Sequence, residues 1–427
     1  MDTIDTHELT EQLKTNGNLI LHGAPGTGKT YLAKEIAKAM GAGDNETEFV
    51  QFHPSYDYTD FVEGLRPTQP DTNGNIGFER RDGVFKSFCK KAARNLIDSE
   101  KNTDTLKTEK TFAALLDDFI SYVGDTIEEN GSFEIDGISN KPAAPISSVN
   151  YDYYLQTGII RFKVITKSGN TTVLLKDFEK FYERFITRNE WEYRDFKKEI
   201  SGVYHTYKYG FMKAFRKFYN ENRNSISIEE VSNERKNFVF IIDEINRGEI
   251  SKIFGELFFS VDPGYRGKAG KVKTQYQNLI EENDEFNEGF YVPENVYIIG
   301  TMNDIDRSVE SMDFAMRRRF AWKELKADDR LSIFENISDF ADGAKARMQS
   351  LNKQIKKVSG LSSAYHIGPA YFLKISGYNG DFEQLWKYHL QGVLFEYLRG
   401  RPDADEILKK LKTAYDAVPP SGEADPE

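Results

Sequence analysis

Short, unbroken apolar runs stand at three places in the chain, Leu19 to His22, Phe238 to Ile242 and Val296 to Ile299. They lack the alternation of a half-solvated strand and read as strands of a parallel sheet covered on both faces. Residues 49 to 52 form a further strand. After the first run, the pattern changes to helical spacing: Leu32, Ile36 and Ala39 recur at i, i+4 and i+7 within a helix from Lys29 to about Met40, and Gly41 to Gly43 ends it. Asp82-Gly83-Val84-Phe85 opens a second helix that runs to about Leu96, and the polar stretch Asp98 to Lys110 has the composition of a linker.

Strand character of the parallel kind returns only at Phe238. Lys29 and Asp243 are 214 residues apart, whereas two βαβ units need roughly 60 to 80, so roughly 130 residues are inserted. The insert begins with an amphipathic helix carrying Phe112, Leu115, Leu116, Phe119, Ile120 and Val123. A hairpin follows, with strands 159–166 and 171–175 around a turn at 167–170. Helices at 176–188, 190–200 and 204–222 complete it. Beyond Arg319 the pattern is mostly helical, over 331–357, 382–400 and 405–415, and the Pro-rich acidic tail 418–427 is expected to be disordered. The fold class is therefore α/β. The expected division is an extension 1–17, a core in two parts at 18–97 and 235–325, an inserted α+β domain 98–234, a helical lid 326–417 and the tail.

Composition narrows the setting. The 427 residues carry a net charge of -11, which argues against a nonspecific polycation but leaves local patches open. The apolar runs fall far short of the roughly 20 residues a bilayer requires. One cysteine, Cys89, excludes an internal disulfide framework. The acidic, polar start lacks the features of a secretory signal, and a cytoplasmic location is expected.

Gly23-Ala24-Pro25-Gly26-Thr27-Gly28-Lys29-Thr30 fits G-x-x-x-x-G-K-[ST], with a strand before it and a helix after it. Backbone N–H groups of such a loop curl round phosphates, Lys29 neutralises β and γ oxygens, and Thr30 offers a hydroxyl to Mg²⁺. The nucleotide-binding residues are taken as this run with Tyr31. Asp243 and Glu244 stand at the C-terminal end of the second apolar run, where open α/β sheets bind ligands. Asp243 is the second candidate for Mg²⁺, and Glu244 the general base that polarises water. Asn303, just past the third run, can orient that water. Arg317, Arg318 and Arg319 are candidate arginine fingers, whose planar forks stabilise charge on a phosphoryl group in a neighbouring subunit.

These blocks together resemble the McrB family of AAA+ NTPases, motor subunits of modification-dependent restriction systems. The resemblance rests on Gly23 to Thr30, Phe52 to Tyr56, Asp60 to Pro67, Asp82 to Phe85, Ile241 to Arg247, Ile253 to Leu257, Gly300 to Ser308 and Arg317 to Phe320. It implies an AAA+ P-loop core with a helical lid and a hexameric ring that hydrolyses GTP or ATP with Mg²⁺. It also implies a nuclease partner of the McrC type. On the family pattern Asn303, Asp306 and Arg307 belong to the loop through which that partner promotes hydrolysis. One departure stands out: Ile367-Gly368 is followed by Pro369 where the family commonly carries His, and His366 reads as structural. With 17 residues ahead of the first strand, target recognition is expected elsewhere in the chain, on another chain, or on a removed segment.

The insert is the candidate for contact with DNA. Residues 158–223 hold fifteen Lys or Arg against eight Asp or Glu, and fifteen aromatics, a mixture suited to phosphates and stacked bases. The stripe Tyr204, Tyr207, Phe211, Phe215, Phe218 has helical spacing and reads as core. Asp195-Phe196-Lys197 sits on a helix and makes no nuclease site. The rival reading is a protein-remodelling AAA+ ATPase resembling the MoxR group.

Overall fold

The computed structural model describes residues 4–68, 76–138, 142–151, 153–154, 158–175, 178, 192–200, 202–223, 232–280, 284–305 and 314–418. Two compact units emerge, one of the residues up to Leu96 with those from Arg235 onward, the other of Ile97 to Glu234. In chain order the elements begin with α1 (Thr6–Asn16), β1 (Asn18–Gly23), α2 (Lys29–Ala39), β2 (Thr47–Gln51), α3 (Tyr58–Phe61), β3 (Glu63–Pro67), β4 (Phe78–Asp82) and α4 (Val84–Ser99). Next come α5 (Thr103–Asn130), β5 (Ile146–Asn150), β6 (Ile160–Thr166), β7 (Gly169–Leu175), α6 (Tyr193–Glu199) and α7 (His205–Asn222). The chain then supplies β8 (Phe238–Asp243), β9 (Val296–Asn303), β10 (Ala321–Leu325), α8 (Ala341–Ile355) and α9 (Ala404–Asp416), with short helical turns between them.

The main sheet has the order β10-β1-β9-β8-β2, and every neighbouring pair is parallel. Burial on both faces explains the unbroken apolar runs. Along β8, Val239 and Ile241 pack with Leu32 and Ile36 of α2 and with Leu9 and Leu13 of α1. The alternate residues Phe238, Phe240 and Ile242 pack with Phe61, Phe85 and Phe88 on the other side. Register aligns Gly23 with Asn303 and Gln51 with Asp243, so the phosphate loop, Asp243 and Asn303 all lie at the C-terminal ends of the parallel strands. In the lid, α8 and α9 close on Trp386, Leu390 and Leu394.

The second unit is an antiparallel sheet β5-β6-β7 covered on one face by α5 and α7. Phe162 and Val164 of β6 point into a core with Phe112, Phe119, Phe211 and Phe215, while Arg161 and Lys163 between them are exposed. Phe211 and Phe215 are thus core, Tyr207 and Phe218 pack at its margin, and Tyr204 at the start of the stripe is half exposed.

Several expectations need correction. The supposed linker 98–110 is mostly helix, because the Asn102 side chain accepts from the Thr105 N–H at 2.7 Å and caps α5, and Leu106 is buried. The segment after Arg319 is not helical at once: Ala321–Leu325 is the edge strand β10, whose outer side has no partner strand among the described residues and so carries no strong apolar pattern. The strand β5 and the antiparallel hairpin β3–β4 went unforeseen, being short and polar. The hairpin turn of the insert is tighter than 167–170, since Thr166 already pairs with Gly169. The expected helix 176–188 lies, except for Phe178, outside the described residues, as do 419–427 of the tail. No described helix is long and apolar enough to cross a membrane.

The hairpin β3–β4 is held by a buried ionic cluster. Lys86 Nζ lies 2.6 Å from Glu63 Oε2, and both side chains are fully buried. Arg80 approaches the same carboxylate at 3.3 Å, while Lys90 joins Asp82 at 2.6 Å and Asp284 at 2.7 Å. The Tyr276 N–H also donates to Glu63 at 2.8 Å. Losing one partner of such a pair leaves a charge in a dry place, so Lys86→Met is expected to destabilise the protein by about 3–5 kcal/mol in urea unfolding. A change below about 1 kcal/mol would show that Arg80 alone compensates. Burial alone would raise the Glu63 carboxyl, but the hydrogen bond and charge of Lys86 outweigh it and hold the group below its usual 4.5. At Asp82 burial is likewise overcome, by Lys90 and Arg80. Because both carboxyls are depressed in the fold, their contribution is complete above pH 4.5 and is lost as the pH falls through the folded values. Stability measured from pH 7 downward is expected to be flat until that range and to fall below it, less steeply in Glu63→Gln.

Candidate functional site

The phosphate loop joins β1 to α2 at the edge where β8 and β9 also end. Gly26 and Gly28 have positive φ, 75° and 86°, a backbone region that disfavours any side chain. Gly28 is the N-cap of α2 and offers no side-chain cap, and the positive end of such a helix favours an anion. Thr27 donates its hydroxyl to the Ala24 carbonyl at 3.0 Å and braces the loop. The Lys29 ammonium, nearly buried, donates to Ala24 O at 2.8 Å, to Gly23 O at 3.2 Å and to Asn303 Oδ1 at 2.8 Å. Tyr31 stands on the exposed side of the first turn of α2.

The two acids adopt different environments. Asp243 Oδ1 accepts from the Thr30 hydroxyl at 2.6 Å and from the Thr301 hydroxyl at 2.7 Å. A hydroxyl and a carboxylate in contact form a hard oxygen pair, the donor set that Mg²⁺ takes when phosphates and water complete its shell. The residues present therefore fit a Mg²⁺-nucleotide, with Thr30 and Asp243 to hold the ion. Glu244 follows with φ of 53°, a left-handed backbone turn. Its Oε1 accepts from Asn303 Nδ2 at 2.5 Å, and Arg247 Nε lies 3.5 Å from Oε2. Asn303 is thus shared between Lys29 and Glu244. Its loop is tethered by Asp304, which meets His22 Nδ1 at 3.0 Å.

The arginines divide. Arg319 is half-buried, pairs with Asp262 at 3.7 Å and donates to the Ala315 carbonyl, so it holds its own turn. Arg317 is exposed, with its guanidinium 4.6 Å from the Trp322 ring, and Arg318 is exposed beside it. Asp306 and Arg307 lie outside the described residues.

Sequence reasoning missed the part the lid plays. The Gly368 N–H donates to Pro25 O and the Ala370 N–H to Gly26 O, each at 3.0 Å. A Cβ on Gly368 would stand 2.2 Å from the Gly26 carbonyl carbon. Asn352 fixes this segment by accepting from the Ile367 N–H at 2.8 Å and donating to its carbonyl at 3.0 Å. Pro369 opens a short helix, where a missing N–H costs nothing, and His366 is partly buried, its pKa lowered by that burial. The Ile-Gly pair was the available signal, but its contact is made by backbone.

A family model of an AAA domain (dynein-related subfamily) matches residues 18–185 and 165–320, and one of the McrB alpha-helical lid domain matches 343–405. The chain is 25% identical over 380 residues to the type IV methyl-directed restriction enzyme EcoKMcrB subunit of Escherichia coli (strain K12), covering 87% of this chain and 50% of that protein. It is 30% identical over 106 residues to the type II restriction enzyme BsuMI component YdiS of Bacillus subtilis (strain 168), covering 24% of this chain and 31% of the relative. The chain therefore spans half or less of the length of these relatives.

Proposed function

The chain belongs to the McrB family of AAA+ NTPases, and from that premise we propose that it is the motor subunit of a restriction system. An AAA core binds a nucleoside triphosphate with Mg²⁺, and in this reading the fuel is GTP or ATP. The observation that carries the proposal is the convergence of Lys29, Thr30, Asp243, Glu244 and Asn303 at one sheet edge. Bound there, Mg²⁺ supplies charge neutralisation at the phosphate oxygens.

Lys29 turns its ammonium from the loop carbonyls to those oxygens. Asn303, released from Lys29, orients the attacking water with its carboxamide, and Glu244 accepts the water's proton. Arg317 and Arg318, both exposed, act on a neighbouring subunit in a hexameric ring. Arg319, tied to Asp262 and to the Ala315 carbonyl, holds them in place. Asp306 and Arg307 serve the loop through which a McrC-like nuclease subunit promotes turnover. Hydrolysis drives translocation of DNA, contacted through the insert at 158–223, in the cytoplasm. Two relatives named as parts of restriction enzymes support the setting.

The test is steady-state hydrolysis of GTP and ATP by the purified chain alone, with DNA, and with a McrC-type nuclease subunit. Turnover of one nucleotide that rises with the nuclease subunit and DNA is expected. No turnover in any combination overturns the motor reading, and stimulation by an unfolded protein in place of DNA transfers the chain to the remodelling class.

A further inference from the structure

Arg330 lies on the segment that leads from β10 into the lid, and it reaches back over α2. Its Nη2 donates to Glu35 Oε2 at 2.6 Å, and its guanidinium carbon sits 5.0 Å from the centre of the Tyr31 ring. The side chain is 12% exposed. Two of its faces are thus accounted for, by an acid and an aromatic ring on successive turns of the helix that follows the phosphate loop. The third is not: Nη1 is buried and has no hydrogen-bond partner among the described residues. It lies 3.7 Å from the point where a Cβ on Gly28 would stand, beside the uncapped start of α2.

A buried guanidinium with an unused donor is costly unless something bound supplies an acceptor. The neighbouring groups name the acceptor by chemistry. Gly28 and the first N–H groups of α2 select an anion, and an oxygen of a phosphate accepts from a guanidinium in a charge-assisted bond. We propose that Arg330 is a nucleotide-binding residue, donating from Nη1 to a phosphate oxygen of the bound nucleotide on the Gly28 side of the loop. The Glu35 carboxylate and the Tyr31 ring occupy the other two faces of the guanidinium and are not needed for that bond. Because residue 330 opens the lid, the same bond joins the lid to the nucleotide. The inference rests on the reading of the loop as a nucleotide site and adds to it a ligand contact from outside the loop.

The test is the affinity of the full chain for fluorescent (methylanthraniloyl) guanosine and adenosine di- and triphosphates, with Arg330→Ala, Arg330→Lys and Glu35→Gln compared with the unaltered chain. Arg330→Ala is expected to weaken both di- and triphosphate by about 10- to 100-fold, the loss of one charge-assisted bond. Arg330→Lys recovers part of that loss, since an ammonium reaches the phosphate without the planar fork. Glu35→Gln breaks the ion pair but keeps Nη1, and changes affinity by no more than about threefold. Melting temperatures without nucleotide separate a folding defect from a lost contact. An unchanged affinity in Arg330→Ala overturns the proposal, and so do equal losses in Arg330→Ala and Glu35→Gln, which would make the arginine only a brace. Failure of the unaltered chain to bind any of the four nucleotides overturns the nucleotide reading itself, a different result visible before any variant is made.

Discussion

Glu244→Gln is expected to slow nucleotide hydrolysis by about 10²- to 10⁴-fold, the usual contribution of a positioned general base, while leaving nucleotide affinity nearly unchanged. The replacement is isosteric, so the left-handed turn at residue 244 and the hydrogen bond from Asn303 have no steric reason to change. What goes is the carboxylate's capacity to take a proton from water. Asp243 accepts from Thr30 and Thr301, and on the proposed reading it serves the metal and does not substitute. Single-turnover hydrolysis with pre-bound nucleotide is the measurement, because it isolates the chemical step from product release. Should the variant keep a rate within about tenfold of the original, proton transfer would have to be assigned to another group.

The second large effect concerns Lys29→Met. Its ammonium donates to Gly23 O, Ala24 O and Asn303 Oδ1, bonds that on the proposed reading a nucleotide replaces with phosphate oxygens. Removing the charge is expected to weaken nucleotide binding by about 100-fold, as for a charge-assisted bond to a highly charged partner. Methionine fills similar space without a charge to bury, so the free protein should melt close to its original temperature. The discriminating quantity is the rise in melting temperature on adding nucleotide, which follows the affinity. The rise is expected to vanish at nucleotide concentrations that stabilise the unaltered chain by several degrees; a rise of the same size in both proteins would remove Lys29 from the binding site.

Much of the core was legible because its signals are local. The strands β1, β8 and β9 are apolar on both faces, and the loop between β1 and α2 carries its glycines and lysine in one short stretch. The elements that escaped owe their state to distant partners. β10 is a strand because β1 lies beside it, and a sequence such as Ala-Trp-Lys-Glu-Leu has no apolar alternation to announce it. The start of α5 hides in a polar run whose helix depends on a cap at Asn102. At the site, Thr30, Asp243 and Glu244 follow from a motif and a strand end. The sharing of Asn303 between Lys29 and Glu244, the inward turn of Arg319 and the position of Arg330 over Tyr31 depend on side-chain direction, which spacing does not encode. Gly368 was marked as the glycine of the Ile367-Gly368 pair, but its partner on the loop could be named only from the folded chain.

The join between lid and loop is written in main-chain atoms, from Gly368 and Ala370 to Pro25 and Gly26. A contact of that kind leaves almost no chemical signature for selection to preserve. The hydrogen bonds themselves ask nothing of the side chains, while the space between the two glycines admits no Cβ at 368. In a saturating substitution survey the lid's grip on the loop would therefore register as two intolerant glycines standing well apart in the chain: Gly368, whose Cβ would strike the Gly26 carbonyl, and Gly26, whose Cβ would stand 2.6 Å from the Tyr371 ring.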